Sequence, residues 1–382
     1  MALQLESKLL GETDFPLTWE VLTAGLAEEV APGYVAGIWQ KDKPDEIGLI
    51  AMGSRRLKPA PNLPMTPETV FDIASVSKVF ATAALTAVLV DRGWIGWDTP
   101  LSAILPEYPH NRILIRHLLA HTAGLPAWVP LWEKLWKKFA PEKIYHVPIS
   151  IRQRVMRDFV FDVLPEAAPG EKEVYSDLTF LLLGFALEEI TQMPLDRAVA
   201  RFLWSPMGIR NAFYHRITKS PNEDSGTQIE EGVAATEDCP HRGGVLQGQV
   251  QDDNCWAMGG YGGHAGVFTT VREILHFVRA LMTGFLSNST LEALWTRVPE
   301  PPGCHRTLGW DTPSKEGSSV GTRFSRNSVG HLGFAGTSLW IDLDAELAVV
   351  LLSNRVHPSR ENHKFKPFRA RFHEAIRQDL KR

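Results

Sequence analysis

The chain has 382 residues, 44 % hydrophobic and 22 % charged, and 40 basic against 44 acidic side chains leave a net charge of −4. That composition is ordinary for a soluble globular protein, and the mixed signs offer no nucleic-acid surface. Three cysteines, Cys239, Cys255 and Cys304, do not make a disulfide framework, and a chain this long builds its core without staples, as two domains or as one enzyme fold with an insert.

The N-terminal MALQLESKLLGETDFPL has no basic n-region followed by an apolar h-region and a cleavage site. The expectation is a cytoplasmic chain, or a periplasmic or extracellular one if a leader has been removed. Residues 17–30 show helical apolar spacing, broken by Pro32 and Gly33. Residues 34–40 and 46–54 read as two strands joined at Lys43-Pro44-Asp45, a hairpin. A helix is predicted over 75–91, stopped by Gly93. Its apolar run, 79–90, is shorter than the roughly 18 to 20 residues that cross a bilayer, so no membrane span is expected.

From about residue 95 to 300 the pattern is mostly helix and loop, with helices predicted over 112–126, 178–191 and 272–284 and a glycine-rich loop, GGYGGHAG, at 259–266. Strand signals return at 333–343 and 347–354 around Asp344-Ala345-Glu346, and the last twenty or so residues read as a helix. The basic run at 360–372 has helical apolar spacing and reads as a solvated helix face. The expected fold is α+β: an antiparallel sheet built from both chain ends, flanked by helices, with a large mostly helical insert. The expected division is 1–92 plus 303–382 for the sheet-containing part and 93–302 for the helical part, with the active site in the cleft between them.

Three stretches carry chemistry. In FDIASVSKVF, Ser75 and Lys78 stand three apart at the head of the apolar helix, hence on one face. A helix start supplies free N–H groups for an oxyanion, and burial lowers a lysine's pKa toward that of a base. A capping serine with a lysine snorkelling outward fits the same spacing. In VYSDLTFLLLG, Tyr175 precedes a second apolar helix, with Asp177 two residues on. A buried tyrosine near a lysine can shuttle protons, and a core tyrosine with a satisfied hydroxyl is the plainer reading. In GHLGFAGTSLWIDL, a glycine-bent strand edge at 330–343 can line a cleft, and the N–H past Gly333 can serve as an oxyanion donor. The alternative is a strand with glycine bends and no role.

Taken in this order, ASVSK, VYSD and GHLGFAGTS resemble the three motifs of the penicillin-recognising serine hydrolases, S-x-x-K among them. The likeness is greatest to the class C branch, with its Tyr-x-Asn middle motif, its β-lactamases, D-Ala-D-Ala carboxypeptidases, family VIII esterases and cell-wall amidases. IRHLLAHTAGLP and GGHAGVFTTVREILHF add to it, over residues from about 20 to the end. The resemblance implies a β-lactamase/transpeptidase-like fold and no cofactor or metal. It implies Ser75 as the acylated nucleophile, Lys78 as base partner and Tyr175 as proton shuttle. The backbone N–H groups of Ser75 and Phe334 would form the oxyanion hole, and Asp177, His331 and Gly333 would face substrate. Two departures bear on the substrate. Asp177 stands where the pattern has asparagine, and an anion there can hold Lys78 as a cation. His331 and Leu332 replace a lysine and a hydroxyl residue, which weakens carboxylate recognition. The expected activity is therefore hydrolysis of an ester or neutral amide. A muropeptide amidase, a D-Ala-D-Ala carboxypeptidase or a weak β-lactamase is the alternative, and a non-catalytic binding protein on the same scaffold comes last. The expected partner is a small ester or amide, or a peptidoglycan fragment; the sequence sets no oligomeric state.

Rival chemistries have less support. Cys239, His241, Cys255 and His264 are metal-ligand types at irregular spacings. His117 and His121 are four apart, but Leu118 occupies the glutamate place of H-E-x-x-H, so they read as structural helix residues. There is no G-x-S-x-G elbow and no phosphate-cradling glycine motif. Trp128, Trp132 and Trp136 form an aromatic-rich segment suited to shaping substrate choice or packing on the core.

Overall fold

A seven-stranded sheet organises the protein, and both chain ends build it. In the computed structural model, which describes residues 5–219 and 232–381, the strand order is Glu6–Leu9, Glu46–Arg56, Gly33–Gln40, Leu347–Ser353, Thr337–Asp342, Ser328–Gly333. The short Leu63–Pro64 pairs with Glu46–Arg56 at the side. Both predicted strand pairs are present and antiparallel. The edge strand Glu6–Leu9 instead runs parallel to Glu46–Arg56. All four of its side chains are exposed, so it has no apolar alternation by which to be read, and the expected antiparallel sheet is corrected there.

The central strands look like continuous apolar runs because both faces of the sheet are covered. Val35 and Trp39 enter one core while Tyr34, Ala36 and Ile38 enter the other. In the neighbouring strand Ala348, Val350 and Leu352 alternate in the same way with Leu347, Val349 and Leu351. The second core is closed by Leu22 of the helix Pro16–Ala27 and by Phe365, Phe368, Phe372 and Ile376 of the helix Phe365–Asp379. The first core continues into the helical middle of the chain. There Asp177–Thr191 buries almost every side chain, and Val271–Met282 buries one face beneath the sheet. The middle is not all helix and loop. Phe71–Asp72, Val267–Thr269 and Ala212–Tyr214 form a three-stranded sheet, and Ala235–Cys239 pairs with Gly244–Gln247.

Three predicted elements are shorter than expected or divided. The helix expected over 112–126 is only Ile115–Leu119, because His121 (φ 57°) and Gly124 (φ 80°) turn the chain. The strand expected over 333–343 is split: Ser328–Gly333 and Thr337–Asp342 form a hairpin closed by Gly336 at φ 94°. The helix expected over 75–91 is a 3₁₀ turn at Ala74–Val76, a π-helical segment at Lys78–Ala83 and an α-helix at Ala84–Asp91. The wider π turn leaves carbonyls for other donors: Trp204 Nε1 donates to Phe80 O at 3.2 Å. Among the described residues this stretch, Ala74–Asp91, is apolar and long enough to cross a membrane, yet 83 % of it is buried inside the protein.

Candidate active site

Ser75 lies in the 3₁₀ turn just after the strand Phe71–Asp72. Ala74, before it, sits at φ 49°, a left-handed conformation uncommon outside glycine. One turn on, the wholly buried Lys78 points back at the serine, its Nζ 2.9 Å from Ser75 Oγ. Two further oxygens surround the same nitrogen: His264 O at 3.0 Å and Asp177 Oδ1 at 2.7 Å, the latter a close ion pair off the aligned hydrogen-bond direction. Two of the oxygens take hydrogen bonds from the nitrogen, and the third supplies the opposite charge. Burial disfavours that cation, but Asp177 and Tyr175 outweigh burial and raise the Lys78 pKa above its ordinary value. Lys78 is therefore charged at rest and is no snorkelling surface lysine.

Tyr175 reaches the same place from the segment before the helix Asp177–Thr191. That segment is docked on the 121–127 turn: Val174 N–H donates to His121 O at 3.0 Å, Asp177 N–H to Ala127 O at 3.1 Å, and Ser176 Oγ to Pro126 O at 2.6 Å. Lys78 Nζ and the Arg306 guanidinium each lie 5.0 Å from the Tyr175 ring centre. Burial raises the phenol's pKa, and the hydrogen bonds it shares with Lys78 and Ser75 only partly offset this. At neutral pH both Lys78 and Tyr175 thus hold their protons.

The strand Ser328–Gly333 forms the third wall. It is pinned to the serine turn by Thr337 Oγ1, which donates to Ile73 O at 2.8 Å. Gly333 is there because nothing larger fits: a Cβ would stand 2.6 Å from Ile73 O and would overlap Thr337 Oγ1. Gly333→Ala is expected to push the strand off the serine turn. The cost is about 1–3 kcal/mol of stability and about a hundredfold in kcat, from denaturant melts and steady-state kinetics. Past Gly333, Phe334 sits on the tight turn with its ring half exposed. Arg355 Nε donates to Phe334 O at 2.7 Å, and Arg369 Nη2 donates to Gly333 O at 3.2 Å.

His331 is 1 % exposed, and its Nδ1–H donates to Leu332 O at 2.8 Å. Burial, with Lys78 and Arg306 nearby, depresses its pKa to about 4 despite Asp311. It is neutral at neutral pH and supplies no charge there, where the resemblance has a lysine. His121 is not on a helix face as expected. It packs 4.6 Å from the Tyr175 ring, and its Nδ1 accepts from Ser176 N–H at 3.1 Å. Of the four metal-ligand types only Cys239 and His241 meet, Sγ to Nδ1 at 3.3 Å, with His241 Nε2 also 3.3 Å from Asp253 Oδ1; His264 Nε2 turns to Asp252 Oδ1 at 2.8 Å and Cys255 Sγ to Ala265 O. Among the described residues no three His, Cys, Asp or Glu side chains gather as a metal ion requires.

Ser75, Tyr175, His331, Gly333 and Phe334 line one cleft of about 540 Å³. A larger cavity of about 1000 Å³ lies next to it and shares only His363, without contact to the serine. Over this arrangement, the sequence profile of the family described as Beta-lactamase matches residues 20–371. The chain belongs to the beta-lactamase family. It is thereby a serine hydrolase. A curated relative from Salmonella agona, provisionally named a D-alanyl-D-alanine carboxypeptidase, is 28 % identical over 327 residues, 79 % of this chain and 73 % of that one. Among solved structures, the hydrolase EstCE1, described as having promiscuous acyltransferase activity, superposes with a TM-score of 0.68 at 19 % identity, covering 96 % of this chain and 98 % of that one. Simvastatin synthase of Aspergillus terreus gives 0.69 at 16 % identity (95 % and 98 % covered). A penicillin-binding protein homologue of Pyrococcus abyssi gives 0.65 at 20 % (88 % and 72 %). These structures share the fold.

The cleft of this beta-lactamase-family protein holds residues that the sequence reading passed over. Arg306, Arg355, Lys366 and Arg369 line it as well. Arg306 is neutralised by Glu173 and Asp311. Among the described residues Arg355 and Arg369 hydrogen-bond only to backbone carbonyls, and Arg369 Nε is buried without a partner. Burial pulls the Arg369 pKa down to about 10, and it remains a cation at neutral pH. The basic run at 360–372 is therefore not simply a solvated face, since Arg369 points inward. One signal was available: Arg369 follows Phe368 and precedes Phe372 on the apolar stripe of that helix.

Proposed function

We propose that this serine hydrolase works through an acyl-enzyme on Ser75 and cleaves a small ester or amide. The observation that carries the reading is the 2.9 Å approach of Lys78 Nζ to Ser75 Oγ in a cleft that Tyr175 also lines. In this scheme Ser75 Oγ attacks the carbonyl carbon, and its proton passes into the Lys78–Tyr175 pair. The N–H groups of Ser75 and Phe334 stabilise the oxyanion. Tyr175 then returns the proton to the leaving group, and water releases the acyl chain by the reverse path. Asp177 holds Lys78 as the cation against which Tyr175 ionises, so Tyr175 is the stronger base candidate. Because both members of the pair hold their protons at neutral pH, the rate rises toward alkaline pH.

Neutral His331 and apolar Leu332 favour an uncharged substrate. A second reading, a carboxypeptidase acting on a peptidoglycan fragment, rests on the names of the Salmonella relatives and on Arg355 and Arg369, which among the described residues hydrogen-bond only to backbone carbonyls beside the cleft. A matched pair of ester substrates separates the two, one with a free carboxylate on the leaving group and one with that carboxylate methylated. A higher kcat/KM for the methylated member is expected of the esterase; a preference for the free acid establishes the carboxypeptidase. Intact mass spectrometry of the quenched reaction locates the acyl group.

A further inference from the structure

Behind the serine turn lies a carboxylate that the scheme above leaves unused. Asp72 is 2 % exposed, and its two oxygens serve different parts of the chain. Oδ1 accepts from the N–H of Ala74 at 2.9 Å, and Oδ2 accepts from the N–H of Gln251 at 2.7 Å. The first bond grips the residue held at φ 49° immediately before Ser75. Such a conformation persists only where its surroundings over-determine it, and the Thr337 bond to Ile73 O holds the adjoining peptide from the other side. The second bond leads to the lysine. Gln251 is followed by Asp252, whose Oδ1 takes His264 Nε2 at 2.8 Å and Cys255 N–H at 2.7 Å. The backbone carbonyl of His264 is the one that accepts from Lys78 Nζ.

One buried carboxylate therefore joins the turn that presents Ser75 to the segment that anchors Lys78. We propose that Asp72 is a positioning residue for the Ser75–Lys78 pair, and that only its ionised form holds both ends. The chemistry of the group dictates the second half. A carboxylate offers a strong acceptor to each N–H, whereas protonation turns one of the two oxygens into a hydroxyl, a much poorer acceptor, and loosens that link. The inference rests on the reading of Ser75 as nucleophile.

The charged groups around Asp72 are few. Asp252 opposes its ionisation and Arg242, itself paired with Asp253, favours it. The Cys255 thiol on the helix Asp253–Ala257 feels the Asp72 charge. The strand paired with Phe71–Asp72 contributes Val267, Phe268 and Thr269, none of which titrates. Burial lifts the Asp72 pKa to about 6 in spite of its two N–H donors. The active form is the ionised one, present above that pH and lost as pH falls through it.

The test is the pH dependence of kcat/KM for p-nitrophenyl acetate in wild type, Asp72→Asn and Ser75→Ala, with circular dichroism at each pH as the fold control. One base held protonated makes log kcat/KM rise with a slope of about one per pH unit; a second required ionisation steepens it to about two below about pH 6. Wild type is expected to show that break. Asp72→Asn is expected to be about tenfold slower at pH 7 and to keep a slope of about one throughout, because its amide presents N–H to one of the two donors at every pH. A break of the same size in Asp72→Asn, or no break in wild type, overturns the proposal. If the asparagine variant does not fold, Asp72→Ser, which retains one acceptor, is read by the same criterion. Wild-type rates from Ser75→Ala would instead refute the nucleophile assignment, a different outcome from an inactive Ser75→Ala beside an unchanged break in Asp72→Asn.

Discussion

Ser75→Ala is expected to lower kcat/KM for p-nitrophenyl acetate by at least about a thousandfold while leaving the fold in place. The size of the loss follows from the nucleophile's place in the scheme, since groups that act as a unit in acyl transfer each cost most of the catalysis when removed. Preservation of the fold follows from the contacts. The serine hydroxyl takes a hydrogen bond from Lys78, and that lysine keeps Asp177 and His264 O when the hydroxyl is gone. The stability change should stay within about 1 kcal/mol. Steady-state kinetics, a denaturant melt and the absence of a covalent adduct by mass spectrometry check the three parts separately. An unchanged rate or a surviving adduct would move the nucleophile elsewhere.

Asp177→Asn is expected to do the opposite at neutral pH: it should raise activity and cost stability. Two effects oppose each other at Lys78. Burial disfavours the ammonium, and the Asp177 carboxylate 2.7 Å away restores it with help from Tyr175. Removing the negative charge lets burial win, so the lysine pKa falls and a neutral amine appears next to Ser75 Oγ. That amine can accept the serine proton directly. The rising limb of the pH–rate profile should move to lower pH, and kcat/KM at pH 7 should increase by about tenfold or more. The sign for stability is reversed. In the variant the folded Lys78 releases its proton more readily than the unfolded chain does, so stability falls as pH falls. A loss of about 3 kcal/mol near neutral pH is expected from breaking a buried pair, and it should deepen on acidification. A pH–rate profile that keeps its position would show that Asp177 acts on substrate rather than on Lys78.

Much of the fold was legible in the chain. The helix Asp177–Thr191 is apolar all round because it is surrounded, and the strands Gly33–Gln40 and Leu347–Ser353 are apolar without interruption because both their faces are covered. The failures share a cause. His121 and Ala74 adopt left-handed conformations, which alanine does not favour and histidine takes only in a small minority of cases, so the early end of the helix at Leu119 and the turn before Ser75 were not readable. Glu6–Leu9 is a strand by its ladder alone, and its exposed side chains record no sheet face. The basic C-terminal run concealed Arg369 because a cation on an apolar stripe looks like any other cation until its neighbours are known.

The sequence by itself determined which residue types were available and in what order: a serine one helical turn before a lysine, a tyrosine heading a buried helix, and a glycine where the strand Ser328–Gly333 must approach the serine turn. It also determined that His331 and Leu332, rather than a lysine and a hydroxyl residue, follow Gly330. Tertiary structure alone decided their electrical state. Lys78 is charged, His331 is neutral and Asp72 titrates near pH 6 because each depends on what burial removes and on which charge from a distant segment restores it. Local propensity acts over a few residues, whereas desolvation and Coulomb interactions act through space, and the groups that surround the Ser75–Lys78 pair, Tyr175, Asp177 and the His264 carbonyl, come from segments more than 90 residues away along the chain.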